Sequence, residues 1–201
     1  MDVENFLDRL NELYLPPTDV FTEIDVPAIR YAVISGQGSP QHPDFQEAKK
    51  WLYAVVHVLK PAVKKRLGKR YADPPLEYLF WADDPRDFPE GNQDQWRWRV
   101  MIALIDWITD AQFKAAAKDV AKKLGPAPGE LDLVELQEGL SVQIMHIGDY
   151  REVQRICDEL YAQYLPANNY VPAGPYHEIY LNDPNRTAPE KRRMVIRQPV
   201  K

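Results

Sequence analysis

The chain has 201 residues, of which 45 % are apolar and 27 % charged. That is the make-up of a globular protein able to bury an ordinary core. A formal charge of −5 without a long basic block argues against bulk attraction to nucleic acid. The longest apolar run, "VMIALI" at 100–105, is far too short to cross a bilayer.

The acidic start "MDVENFLDRL" has no basic region, apolar stretch or cleavage site. It predicts a cytoplasmic rather than a secreted protein. A single cysteine excludes an internal disulfide, and Cys157 falls with Val153, Ile156, Leu160 and Tyr164 at helical spacing, as a small core residue would. Eleven tyrosines and five tryptophans supply large flat contact surfaces. Eighteen prolines against nine glycines predict fixed turns between many short elements.

After a short amphipathic amino-terminal segment, residues 19–35 read as a strand region. "HPDFQEAKKWLYAVVHVLKPAVKKRLG" then reads as a helix, with Trp51, Leu52, Val55, Val58 and Leu59 inward and Pro61 as a kink or break. The basic run Lys60–Arg70 reads as its solvated end, where cations suit the helix dipole. "LEYLFWADDP" and "QWRWRVMIALIDW" read as strands, the latter placing Trp96 and Trp98 on one face and Arg97 and Arg99 on the other. Trp51 and Trp107 read as core residues. A connecting helix runs from a Thr109 cap to Gly125. The second half reads as strands over "LDLVELQEGLSVQIMHIG", a helix over "DYREVQRICDELYAQYL" capped by Asp149, and strands at "YHEIYLNDP" and "KRRMVIRQPV".

The order β-α-β-β therefore occurs twice. The expected fold is α+β, one domain over 1–201 with lobe one at about 19–108, the connecting helix at about 109–125 and lobe two at about 131–200. A pseudo-twofold axis would relate the lobes across a central ligand cleft. Aligning Asp84-Pro85 with Asp183-Pro184 gives an offset of 99 residues, which sets Glu77, Leu79 and Trp81 on Tyr176, Glu178 and Tyr180. On that alignment both triplets face the same kind of surface. Tyr176, Glu178 and Tyr180 alternate along one strand, so a carboxylate shares a face with two phenols. A solvated strand face and an aromatic pocket holding an acid both fit this pattern; the repeat favours the pocket.

"HIGDYREV" at 146–153 and "PYHEIYLNDPNRTAPEKRRMVIRQPV" at 175–200 resemble the GyrI-like small-molecule-binding proteins. The resemblance rests on His146, Gly148 and Tyr150, then Glu178, Tyr180, Asp183-Pro184 and Pro199, and it extends over about 19–200. It implies paired SHS2 lobes forming a groove for planar, often cationic compounds, with Glu178 as the groove carboxylate and Tyr180 as its neighbour. Larger tryptophan-rich members, which this chain resembles, are linked to hydrolysis of cyclopropane-bearing genotoxins. Two features depart from the pattern: Asp149 stands where proline is common, and lobe one, "SGQGSPQHPDF", has no Gly-x-Tyr motif. No DNA-binding segment is expected beside the domain, so the output module of a transcription regulator is not expected.

Opening a cyclopropane with water requires a flat slot, a positioned water and a donor to the developing oxyanion. Glu178 is the first candidate base and Glu77 the second. Trp81, Trp98 and Tyr180 are expected walls, with Tyr176 and His146 beside them, and Tyr31 or Tyr150 as donor. For Trp98 a core position beneath the long helix fits equally well. His42, His57, His146 and His177 show no metal-ligand spacing, so neither metal nor cofactor is expected. Three functions remain: a detoxifying hydrolase, a non-catalytic multidrug-binding or sequestering protein, and a gyrase-inhibitor-type interaction protein. A planar or cationic small molecule is the expected partner, and oligomeric state stays open.

Overall fold

The stretch Asp25-Val26-Pro27-Ala28-Ile29 divides the expected 19–35 strand region into two strands, because Pro27 has no amide hydrogen to donate to a ladder. In the computed structural model of the protein, residues 11–67, 74–83, 88, 92–104 and 108–201 are described. The amino-terminal ten residues, the end of the basic run, the Asp84-Pro85 turn and Trp107 lie outside them. The strands are β1 (Thr22–Val26), β2 (Ile29–Gln37), β3 (Leu76–Ala82), β4 (Trp96–Ala103), β5 (Glu130–Leu136), β6 (Gly139–Ile147), β7 (Tyr176–Tyr180) and β8 (Arg193–Pro199). The helices are α1 (Pro43–Leu67), α2 (Asp110–Leu124) and α3 (Val153–Glu159), the last continuing through a π turn at Leu160–Tyr164. The fold is α+β, and every strand pair described is antiparallel.

The chain divides into two units. The central unit is Ile29–Leu136; the terminal unit is Gln137–Lys201 with the chain up to Ala28. In the central unit the strand order is β5-β2-β4-β3, with α1 against one face. Phe45 of α1 meets Tyr78, Phe80 and Trp98 at ring-centroid distances of 5.0, 5.8 and 5.2 Å. Its inner positions include Ala48, Trp51, Leu52, Val55, Val56, Leu59 and Val63, all buried at spacings of three and four. Val58, expected inside, is 40 % exposed. Pro61 does not break the helix. A helical proline costs about 3 kcal/mol, while burying Leu59 and Val63 returns about 1.5–3 kcal/mol each. Trp51 is a core residue as expected, and its indole N–H donates to the Gly125 carbonyl at 3.2 Å. Thr109 caps α2 as expected, in a reciprocal pair with Gln112.

Trp98 lies opposite Gly36 on the neighbouring strand. A Cβ at Gly36 would sit 2.2 Å from the Trp98 ring, which is fully buried and braced by Phe45. Gly36→Ala is therefore expected to overpack the core and cost about 1–3 kcal/mol. An unchanged urea midpoint for the variant would count against this packing.

In the terminal unit the strand order is β1-β6-β8-β7. The spatial order thus repeats: a β-α-β-β core with one further strand beside its first. Helix α3 lies on the face that carries Tyr176 and Gln198, since Cys157 contacts the Tyr176 hydroxyl and Tyr161 donates to Gln198. The opposite face holds a buried ionic cluster. Arg197, 0 % exposed, donates to Glu138 Oε2 at 2.9 Å, to Gln143 Oε1 and to the Leu13 carbonyl, and His177 Nδ1 lies 2.9 Å from Glu138 Oε1. These partners hold the Glu138 carboxyl at about 2 against the cost of burial.

The registers correct the repeat alignment. Phe80 pairs with Trp98, and 98 residues further on Glu178 pairs with Ile196. The offset is 98 rather than 99, and a slip of one residue turns every side chain to the other face. Tyr176 and Glu178 therefore correspond to Tyr78 and Phe80, on the helix-covered face. Glu77, Leu79 and Trp81 turn to the face that α1 does not cover.

Candidate functional site

Strand β7 alternates, so Tyr176, Glu178 and Tyr180 share a face as expected, and the structure supplies the bonds between them. The Tyr176 hydroxyl donates to Glu178 Oε1 at 3.1 Å and the Tyr180 hydroxyl to Oε2 at 2.7 Å. Each carboxylate oxygen keeps a lone pair free for a further donor. Glu178 remains partly open to solvent. Burial raises its pKa above the ordinary carboxylate range, opposed by the bonds from Tyr180 and Tyr176 and by the charge of His177. The outcome is a base stronger than a surface glutamate.

The turn after β6 presents Tyr150. His146 is buried, and its Nε2–H donates to the Asp149 carbonyl at 3.0 Å. Gly148 has φ +154, and a Cβ there would touch the His146 ring at 3.0 Å. Its N–H donates to the Arg192 carbonyl, and the Asp149 side chain caps the 3₁₀ turn Tyr150–Glu152. His146 thus supports the turn rather than presenting a free imidazole. The Tyr150 ring meets Tyr180 edge to face at 5.2 Å. Its hydroxyl is buried and makes no hydrogen bond among the described residues. Burial pushes that phenol up to about 12, with the Arg192 charge pulling the other way.

Helix α3 closes the back of this group. Cys157 Sγ–H donates to the Tyr176 oxygen at 3.4 Å, leaving the Tyr176 proton for Glu178. Burial raises the thiol to about 11, so it is inert as a nucleophile. Cys157 was legible as a core residue; its contact with Tyr176 was not. Tyr161, one turn later, donates to Gln198 Oε1 at 2.5 Å. The i, i+4 spacing of Cys157 and Tyr161 is the signal that puts both on the inward side of α3. The Arg192 guanidinium lies 5.2 Å from the Tyr150 ring centroid. Nothing in the sequence pattern marks it, because it reaches the ring from the far end of a loop.

The remaining candidates lie in the central unit. Glu77 and Tyr31 are buried, 0 % and 2 % exposed, on the face not covered by α1. That face carries an apolar cluster of Tyr31, Val33, Leu79, Met101 and Ala103, with Trp81 packed beside it. The Arg99 guanidinium stands 5.8 Å from the Trp81 ring. Trp98 does not join Trp81: it lies on the opposite face as a core residue beneath α1, because Phe80, not Trp81, is its strand neighbour. Among the described residues, no group of three or more His, Cys, Asp or Glu could hold a metal ion, and no helix is long and apolar enough to cross a membrane.

The sequence matches no curated protein. Its fold is similar to that of an uncharacterised conserved protein from Listeria innocua, at 28 % identity and TM-score 0.82, with 98 % of each chain covered. Two structures of hydrolases from Listeria innocua are similar at 28 % and 26 % identity, TM-scores 0.76 and 0.78, again over 98 % of each chain. The EcmrR C-terminal domain, at 11 % identity and TM-score 0.56 over 90 % of this chain and 97 % of its own, shares the fold. The GyrI-like small molecule binding domain matches residues 20–201, nearly the whole chain, and the protein belongs to that family.

Proposed function

We propose that the protein is a hydrolase that opens cyclopropane-bearing, flat electrophiles with water, using Glu178 as general base. The observation that carries this reading is a half-buried glutamate whose carboxylate is held by two phenols, with its pKa raised by burial. Similarity to two structures named as hydrolases supports it. In the proposed step a water oxygen bonds to a cyclopropane carbon while Glu178 takes its proton. The ring C–C bond breaks, and its electron pair moves through the conjugated dienone to the carbonyl oxygen, which becomes a phenolate and then takes a proton. The net change is addition of one water. Tyr150, with a buried hydroxyl free of partners among the described residues, is the proposed donor to that oxygen. Tyr180 and Tyr150 form aromatic walls worth roughly 0.5–1.5 kcal/mol per stacked ring pair.

The test is mass spectrometry of a cyclopropane-bearing alkylator incubated with the protein and with a no-protein control. Faster gain of one water with the protein is the expected result. Unchanged compound recovered bound to the protein would replace this reading with a non-catalytic binding function.

A further inference from the structure

Two features of the terminal unit oppose an arriving cation. Both oxygens of Glu178 already accept a phenol hydrogen, which spreads its charge onto its neighbours. A cation is also installed: Arg192 lies over one face of Tyr150, the position a ligand cation would take by cation–π attraction. It is held there by bonds from its guanidinium to the Pro184 carbonyl at 3.1 Å and the Thr187 carbonyl at 3.4 Å. Its guanidinium bonds go to these carbonyls, and its charge also acts on the Asp149 carboxylate. Its charge acts on the Tyr150 phenol, against the charges of Glu178 and Asp183. Glu178 disfavours anions as Arg192 disfavours cations. A neutral molecule with a carbonyl group escapes both and can accept from the Tyr150 hydroxyl.

We infer that Arg192 is a specificity-determining residue that makes this site prefer neutral, carbonyl-bearing planar molecules over planar cations. This rests on the proposal that ligands bind at Glu178 and its phenols. Two tricyclic probes of matched shape test it: N-methylacridone, neutral with a carbonyl, and N-methylacridinium, a permanent cation. Fluorescence titration of the wild type should show tighter binding of N-methylacridone. Arg192→Gln should raise N-methylacridinium affinity about tenfold, or about 1.4 kcal/mol, and leave N-methylacridone within about threefold. Arg192→Lys, which keeps the charge, should behave like the wild type; a merely structural role would make the two variants alike. Circular dichroism melts establish that both are folded. Equal or tighter wild-type binding of the cation, or an unchanged preference in Arg192→Gln, would overturn the inference alone. Binding that Tyr180→Ala leaves unaltered, or no binding of either probe, would overturn the site beneath it as well.

Discussion

Glu178→Gln is expected to lower turnover of a cyclopropane-bearing substrate by about 10²–10⁴-fold while binding stays within a few-fold. The amide keeps the size of the side chain, and its oxygen still accepts from a phenol. It cannot take a proton from water, so the loss falls on kcat rather than KM. The pH dependence follows from the raised pKa. A base must be ionised to act, so the rate should rise with pH through a limb above the ordinary carboxylate value. Tyr180→Phe removes the shorter of the two bonds that favour the ionised form, and should move that limb to higher pH. A Glu178→Gln variant that retains wild-type kcat would remove Glu178 from the chemistry.

Glu138→Ala is expected to destabilise the protein by about 3–5 kcal/mol, because it leaves the Arg197 guanidinium buried without its carboxylate. For a chain of this size that is a fall in Tm of roughly 6–20 °C. Glu138→Gln, which can keep one hydrogen bond, should cost less. The pH response has a defined sign. Folding lowers the Glu138 pKa from 4.5 to about 2, so its contribution is full above about 4.5 and is lost as pH falls toward about 2. The shift corresponds to about 3 kcal/mol. The gap between wild type and Glu138→Ala in urea denaturation should therefore narrow as the pH drops through that window. A gap that stays constant would place the source of stability elsewhere.

The cluster around Glu138 was not legible in the sequence. Arg197 and Glu138 are 59 residues apart, and each by itself reads as an ordinary surface charge. The slip between repeats has the same origin. Asp84-Pro85 and Asp183-Pro184 are strong local markers, but a loop one residue longer before the second turn shifts the true offset to 98, and pleat alternation amplifies that single residue into a reversal of face. The 99-residue alignment links Glu77 to Glu178, which the register undoes, and Trp98 and Trp81, both expected as walls, lie on different faces. Within one strand no such error arises. Tyr176, Glu178 and Tyr180 were grouped correctly because period-2 alternation is a property of the backbone itself.

The sequence alone determined the β-α-β-β order, the Thr109 cap of α2, the acid between two tyrosines and the family to which they belong, because each is encoded over a few neighbouring residues. The tertiary structure alone decided which face each helix covers, that β1 joins β6 while β5 joins β2, and that Cys157 and Arg192 come to Tyr176 and Tyr150. Those are pairings between distant segments. They depend on register and packing, which no local pattern carries.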